Sequence, residues 1–479
     1  MRKNHKSQII ILVSLITGLV VLCGSCSAAP FSAPASGTAS MVSSDENTSS
    51  ASFSPYDSAE VDTGSAVVSV VSSVSGAPSD TVPGSAAAAS VTASATVSVS
   101  ASTPSSASAV SEDQSQIMLD NTSGSLSYGD YTYNVLADGT VILVTYTGTG
   151  GDVVVPSEVN GKTVSMIGIS TFYNCKTLTT ITIPAGVQAI GDQAIEMCPQ
   201  LTAINVDPNN PNYTSQNGVL FDKNMVTLIQ YPGGGTGSYV IPGSVTTIGD
   251  AAFCDTSGLV GVTIPEGVTS IGANAFGGCD ALTSVALPSS LQSMGDYAFN
   301  SCDGLSSITI PANVTNMGLG VFSDCTGLTR IEVDGANANY ASVNGVLFSK
   351  DLKTLIQYPL AVFGAYTVPD GVTTIGENAF RSCAGLAAVT FPDSLTTIQS
   401  QAFGFCNALT SVTLPSSFTR FGDFAFSPCE NLSIVYFTGN APQNGLHVFD
   451  KAASGFTIDH HAGASGWSNP WMGYPTATY

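Results

Sequence analysis

Leu282-Thr-Ser-Val-Ala-Leu-Pro-Ser-Ser-Leu-Gln-Ser-Met-Gly-Asp-Tyr-Ala-Phe299 decides the fold, because its order of residue types returns down the chain at a fixed interval. A proline closing an apolar-x-apolar strand stands at Pro242, Pro265, Pro288 and Pro311, each 23 residues after the last, and again at Pro369, Pro392 and Pro415. Such a period marks a solenoid, whose coils bury their apolar sides only by stacking on one another. Two longer steps of equal length, Pro184 to Pro242 and Pro311 to Pro369, join the runs. A whole cassette begun at Pro184 therefore begins again at Pro311, which points to an internal duplication. The expected fold is a β-rich repeat solenoid of short parallel strands on 23-residue coils. It carries two hairpin-like inserts, is capped at both ends and follows a disordered N-terminal stalk.

Written from one proline, the unit is Pro-x-x-Val/Leu-x-x-Ile-Gly-x-x-Ala-Phe-x-x-Cys-x-x-Leu-x-x-apolar-x-apolar. Ile241, Ile264, Leu287, Ile310, Val368, Phe391 and Leu414 end the strand and face inward, while Thr182, Thr263, Thr309, Thr367, Thr390 and Thr413 face outward. Phe253, Phe276, Phe299, Phe322, Phe380, Phe403 and Phe426 fall one per coil and are expected to stack as an internal aromatic spine, with Ile195 standing in once. The glycines at 191, 249, 272, 295, 318, 376 and 422 are expected to take a backbone angle that other residues resist, and Gln399 in that slot to mark an altered turn.

Cysteine follows the same ruler at Cys175 and Cys198, at Cys279, Cys302 and Cys325, and at Cys383, Cys406 and Cys429. Coils about 4.8 Å apart lie within disulfide reach, but three stacked thiols pointing one way cannot all pair. Small buried thiols filling a turn slot is the preferred reading. Metal ligation is disfavoured, since no Cys-x-x-Cys pair or clustered Cys/His spacing accompanies the ladders.

With these slots in view, the unit closely resembles the BspA-like, or treponemal-type, leucine-rich repeat, and the match covers most of residues 153–438. Leu282 to Phe299 and Leu409-Thr-Ser-Val-Thr-Leu-Pro415 fit it almost slot for slot. The resemblance implies an exported surface protein, since members of the family are typically of that kind and some resemble adhesins. It names no ligand for this chain.

Arg2, Lys3 and Lys6 precede an apolar run from Ile9 to Leu22, so residues 1–26 read as an export signal. About 14 apolar residues fall short of the roughly 20 that a membrane span needs. Cleavage after Ala28 or Ala29 and lipidation at Cys26, within Cys23-Gly-Ser-Cys26, are both open to it. Residues 27–118 hold no Lys or Arg and consist mostly of Ser, Ala, Thr and Val, whose small side chains cannot offset the entropy of ordering. They read as a stalk. Residues 119–152, with Tyr131 to Val135 and Val141 to Tyr146 alternating across Ala137-Asp-Gly139, read as an N-terminal hairpin cap; residues 153–438 form the solenoid and 439–479 the C-terminal cap. Asn-x-Ser/Thr triplets at Asn47, Asn121, Asn212, Asn313 and Asn431 are acceptors if the host glycosylates exported proteins, and a chain this rich in Ser and Thr also supplies several by chance.

Net charge is −22, with 12 basic residues against 34 acidic ones, so the basic footprint that phosphate binding needs is missing and nucleic acid is excluded as a partner. Each insert carries a near-copy, Asn212 to Pro232 and Asn339 to Pro359, expected to turn at Asp222-Lys-Asn224 or Ser349-Lys-Asp351, with Tyr231 and Tyr358 packing back on the coil. A lengthened coil that repacks is favoured over a projecting hairpin that grips a ligand. Asp207-Pro-Asn-Asn-Pro-Asn and Asp334-Gly-Ala-Asn-Ala-Asn read as turns rather than calcium loops. The repeat is expected to stop after Phe437, with Trp467 and Trp471 covering the last coil.

No catalytic motif emerges: there is no Gly-x-Ser-x-Gly elbow, and Gly233-Gly-Gly-Thr-Gly237 lacks the Lys of a phosphate loop. The chain reads as a non-enzyme without cofactor. Roughly twelve outward strands form a sheet on the order of 55 Å long, a surface on which an extracellular protein or polysaccharide can lie. The other reading is a passive envelope or matrix component that associates with its own kind, with or without a lipid anchor.

Overall fold

The computed structural model describes residues 125–479, and all 33 of its regular elements are strands. The export signal at 1–26 with Cys26, and the 27–118 stalk, lie outside the described residues.

Each slot of the unit closes a bend. Pro265 accepts a hydrogen bond from the Val268 N–H and Cys279 from the Leu282 N–H, so Pro-x-x-Val and Cys-x-x-Leu are both i to i+3 turns; Phe276 and the Cys279 N–H form a third. Proline stands where it does because it has no N–H to give to a strand ladder, and it ends the strand there. Between the bends lie two strand ladders. One stacks the outward strands, as where Val240, Thr263 and Ala286 pair in parallel. The other, absent from the sequence reading, stacks two-residue strands, Thr247–Ile248 on Ser270–Ile271 on Ser293–Met294 on Asn316–Met317. A third set of coil-to-coil bonds runs along the phenylalanine arc: the N–H groups of Ala251, Phe253 and Asp255 donate to the carbonyls of Ala273, Ala275 and Gly277 at 2.8, 2.7 and 2.7 Å.

The glycine expectation is corrected by this arc. The glycines at 191, 249, 272, 295, 318, 376 and 422 are not among the residues with positive φ. They are small because coils meet there: a Cβ on Gly249 would lie 3.0 Å from the Leu228 carbonyl oxygen, and one on Gly295 would lie 2.4 Å from the Ala273 nitrogen. Gln399 keeps the bonds of the slot, donating to Ile375 at 3.0 Å and accepting from Ala402, so the turn is not altered. The left-handed positions fall two and six residues further on and are mostly not glycine, as at Ala251 and Asp255 (φ 52° and 54°) and at Tyr297 and Ser301 (56° and 54°).

Inside, the phenyl rings stack. Phe253, Phe276 and Phe299 follow one another at centroid distances of 4.8 and 5.0 Å with planes within 9°, and Phe380, Phe403 and Phe426 do so at 4.7 Å each. Tyr231 and Tyr358 start each stack, at 5.0 and 4.9 Å from Phe253 and Phe380. The repeat does not stop at Phe437. Ile434–Phe437 pairs in parallel with Thr457–His460, one further coil on, and Phe449 stacks below Phe426 at 5.8 Å. Trp467 and Trp471 then close over Phe437, at 4.8 and 5.7 Å.

Each insert is a three-stranded antiparallel meander. Tyr213–Gln216, Val219–Asp222 and Thr227–Gln230 pair in order, and the last joins the two-residue ladder beside Thr247–Ile248. The first turn is Asn217-Gly218, where both residues have positive φ as a tight hairpin demands; the turn expected at Asp222-Lys-Asn224 is the second. Val219, Leu220 and Phe221 are buried, so the insert is a lengthened coil and not a projecting arm. Asn210 and Asn337, in the loops weighed for calcium, are fully buried pegs whose amides donate to backbone carbonyls of the preceding coil.

All nine described cysteines are free thiols. Cys198, Cys279, Cys302, Cys325, Cys406 and Cys429 each donate to the carbonyl of a phenylalanine 26 residues earlier, at 2.9 to 3.2 Å. Thr256 occupies the slot between Cys198 and Cys279, and its buried hydroxyl has no partner; Cys254, two residues before, lies off the ladder.

Two outcomes follow from the packing. Phe276→Ala opens a void between two stacked rings and should lower stability in urea unfolding of the full chain by about 3 to 5 kcal/mol, whereas Phe363→Ala, at a ring 74% exposed, should leave it unchanged within about 0.5 kcal/mol. Glu196 is 6% exposed and faces Asp255, Asp192 and Asp250; burial first, and these charges next, push its pKa up to about 8. Between the ordinary carboxyl range and about 8 the folded chain therefore holds a proton that the unfolded chain has lost. Stability from this group falls as pH rises through that window and is level above it. Glu196→Gln should match the parent in unfolding midpoint at pH 4 and exceed it at pH 9.

Candidate functional site

Among the described residues, fourteen strands make up the outward ladder, from Gly151–Val154 to Thr476–Thr478, two more than the expected twelve. The sheet they form is not one continuous stripe. It divides into five hydrogen-bonded groups, and two of the divisions fall at the inserts. There the insert turns back onto the strand before it: Ile204 N–H donates to the Gly218 carbonyl and Ile331 N–H to the Gly345 carbonyl, each at 2.8 Å. The N–H groups that would have reached the next coil are thus already satisfied.

Thr263, Thr309, Thr367, Thr390 and Thr413 are exposed on this face, and Thr182 is half-buried. Thr367 lies directly beside Thr390, and Thr263 stands between Val240 and Ala286. Among the described residues, no group within the chain bonds the five exposed hydroxyls. Two other threonine rows behave differently. Thr202, Thr329 and, in the same slot, Ser433 donate to the carbonyl 23 residues earlier at 3.1, 2.8 and 3.0 Å. Thr269, Thr396 and Thr419 do the same on the flank. Those hydroxyls are part of the coil's own bonding, whereas Thr283 and Thr410, in the row of Thr202, bond no group among the described residues. The outward row presents its hydroxyls to solvent.

A second outward row, two residues nearer the start of each strand, was missed in the sequence. It runs through Ser238, Gly261 and Ser284, then Ser307 and Arg330, then Ala365 and Ala388, then Ser411, Ile434 and Thr457. Period-two alternation was the signal that could have found it. Charge is sparse on both rows. Asp152 is held below its ordinary pKa by the hydroxyls of Thr179 and Thr180, each 2.8 Å away. Acids cluster instead on the phenylalanine arc, where Asp250, Asp296 and Asp423 accept N–H bonds from Ala273, Leu319 and Leu446 of the next coil at 2.7, 2.7 and 2.8 Å.

The other candidates take structural places. Asn212, Asn313 and Asn431, the three solenoid Asn-x-Ser/Thr positions, donate their amides to the carbonyl 24 residues earlier at 2.7, 2.8 and 2.8 Å. His460 stacks on Trp467 at 4.8 Å, and His447 bonds Asp450 at 2.6 Å. Among the described residues, no group of three or more His, Cys, Asp or Glu is placed to hold a metal ion. Burial is the first cause that pushes the thiols of Cys198 and Cys429 up to about 12. Since the thiolate is the reactive form, iodoacetamide at pH 8 should label the solenoid cysteines of the folded chain far more slowly than those of the urea-unfolded chain; equal rates by mass spectrometry would contradict this burial.

A family model described as the BspA type leucine rich repeat region matches residues 157–234, 235–351 and 363–458, in six copies. Among solved structures, a leucine rich cell surface protein from Faecalibacterium prausnitzii A2-165 is 28% identical, with a TM-score of 0.42 over 66% of this chain and 89% of that one. The pneumococcal vaccine antigen PcpA is 21% identical, with a TM-score of 0.40 over 71% and 94%. A leucine-rich repeat protein from Bacteroides ovatus ATCC 8483 is 23% identical, with a TM-score of 0.35 over 70% and 70%. No curated protein matches the chain.

Proposed function

The chain belongs to the BspA-type leucine-rich repeat family, and from that premise we propose that it is an exported, surface-held, non-enzymatic binding protein that holds an extracellular protein or polysaccharide along its outward strand face. The observation that carries this reading is the contrast among threonine rows. In the other two rows Thr202, Thr329, Thr269, Thr396 and Thr419 spend their hydroxyls on the chain's own backbone, though Thr283 and Thr410 do not, while Thr263, Thr309, Thr367, Thr390 and Thr413 all keep theirs facing solvent on a weakly charged sheet. A row of unused donors and acceptors suits a long partner that makes many weak hydrogen bonds, each worth about 0.5 to 1.5 kcal/mol.

Export rests on the reading of residues 1–26, and a lipid anchor on Cys26. A second reading, self-association in envelope or matrix material, has one observation in its favour. Gly151–Val154, the first strand of the outward ladder, pairs with a strand on one side only among the described residues, and Val154 is 71% exposed. An open strand edge is a template for another strand.

The test is binding of the full chain to an array of matrix proteins and glycans. Saturable binding that falls at least about tenfold in the Thr309→Lys, Thr390→Lys variant, and is unchanged in Thr315→Lys on the flank, is the expected outcome. Failure to bind anything but itself, with concentration-dependent growth in sedimentation, would move the assignment to the second reading.

A further inference from the structure

We propose that the outward face carries one specificity site, a notch at Arg330 and Glu332, that selects an extended segment of a net-positive protein bearing an acidic and a basic side chain two residues apart. The inference rests on the outward-face reading and narrows it. Thr329, Arg330, Glu332, Asn344 and Gly345 line an open cleft of about 450 Å³, where the second insert's Asn344-Gly345 turn folds back beside the strand. A Cβ on Gly345 would lie 2.8 Å from the Arg330 Cβ, so glycine there lets the turn pass close beside the arginine stem.

The two charges are under-used within the chain. Arg330 Nη1 stands 3.9 Å from Glu332 Oε1, a loose contact, with the side chains 62% and 45% exposed. Ser342 donates to the other Glu332 oxygen at 3.3 Å and fixes the carboxylate. A guanidinium has five donors and one distant oxygen occupies little of that capacity.

Comparison of the two cassettes isolates the site. In the first, the same strand and turn are present, and a Cβ on Gly218 would lie 3.0 Å from Ala203, but the charged positions are Ala203 and Asn205. One duplicate therefore has the strand and turn without the charges, and the other has both charges beside the same turn.

Spacing and charge name the occupant. Arg330 and Glu332 are alternate residues of one strand, so their side chains stand on one face about 7 Å apart, which is also the spacing of alternate side chains in an extended peptide laid along it. A net charge of −22 repels a polyanionic glycan and speeds the approach of a basic protein. A neutral glycan has no charge to offer either group. The match is thus to a peptide carboxylate on Arg330 and a peptide ammonium or guanidinium on Glu332.

The full chain is offered short peptides of Ser, Thr and Val that differ only at two alternate positions: Lys with Asp, Lys with Lys, Asp with Asp, or Gln with Gln. The Lys/Asp peptide should bind about tenfold tighter than the Gln/Gln peptide at near-physiological salt, two exposed ion pairs giving a few-fold each. That preference should vanish in Arg330→Gln and in Glu332→Gln, while Ala203→Arg with Asn205→Glu should add a second site per chain. Equal binding of all four peptides would overturn the proposal, as would a preference that survives both single variants. Alginate binding that is lost in Arg330→Gln would overturn it in favour of an acidic glycan. If the peptide preference fails while Thr309→Lys with Thr390→Lys still abolishes ligand binding, the notch falls and the face stands; if both fail, the face falls with it.

Discussion

Everything in the solenoid depends on the backbone hydrogen bonds from each coil to the next. A coil this short, with no helix in which to satisfy its own N–H and C=O groups, must find a partner for nearly every inner one in the neighbouring coil. That requirement sets the period, since nearly the same displacement along the chain appears in the outward strands, the two-residue strands and the phenylalanine arc. With the register fixed, identical side chains are carried into superposition. Phe276 meets Phe253 and Phe299, and the Cys279 thiol meets the Phe253 carbonyl at 3.2 Å.

The elements of the fold legible in the sequence are those in which one side chain type does one job in every coil. Phe253 through Phe426, the prolines and the outward threonines could be placed because their chemistry has few alternatives at a fixed period. The two-residue ladder through Ile248 and Ile271 was not legible, since a single buried isoleucine between turns looks the same whether or not its backbone pairs. The left-handed residues were misplaced for a related reason. Glycine is the usual sequence sign of such a residue, but glycine at 249 and 295 answers to crowding between coils, while Ala251, Asp255 and Tyr297 adopt positive φ because the arc bends there and its bonds hold it. On the candidate face, Thr309 could be found from periodicity. Arg330 could not, because it breaks the pattern of its row and gains meaning only from the Asn344-Gly345 turn that folds beside it.

The acidity of the chain takes on a local sense. Asp250, Asp296 and Asp423 cap N–H groups of the following coil where the chain offers no carbonyl, so some of the negative charge is built into the coil joints. Glu196 departs from this, buried where the charges of Asp255, Asp192 and Asp250 reach it, while the matching position of the second cassette is Ser323, whose buried hydroxyl has no partner. The duplicated blocks thus share a backbone and differ in how charge is settled at their joints.

The inserts also divide the molecule mechanically. A steady pull on one end of a stack of parallel coils loads the coil-to-coil bonds from the edge, so the coils peel away in succession, each releasing up to about 75 Å of slack. At Tyr213–Gln230 and Tyr340–Gln357 the geometry changes, because there the strands reverse direction and are bonded to one another as well as to the coil beyond. An unravelling that reaches either meander must break a locally closed unit before it can go on. An unravelling therefore meets a different arrangement of bonds at each insert instead of one more identical coil.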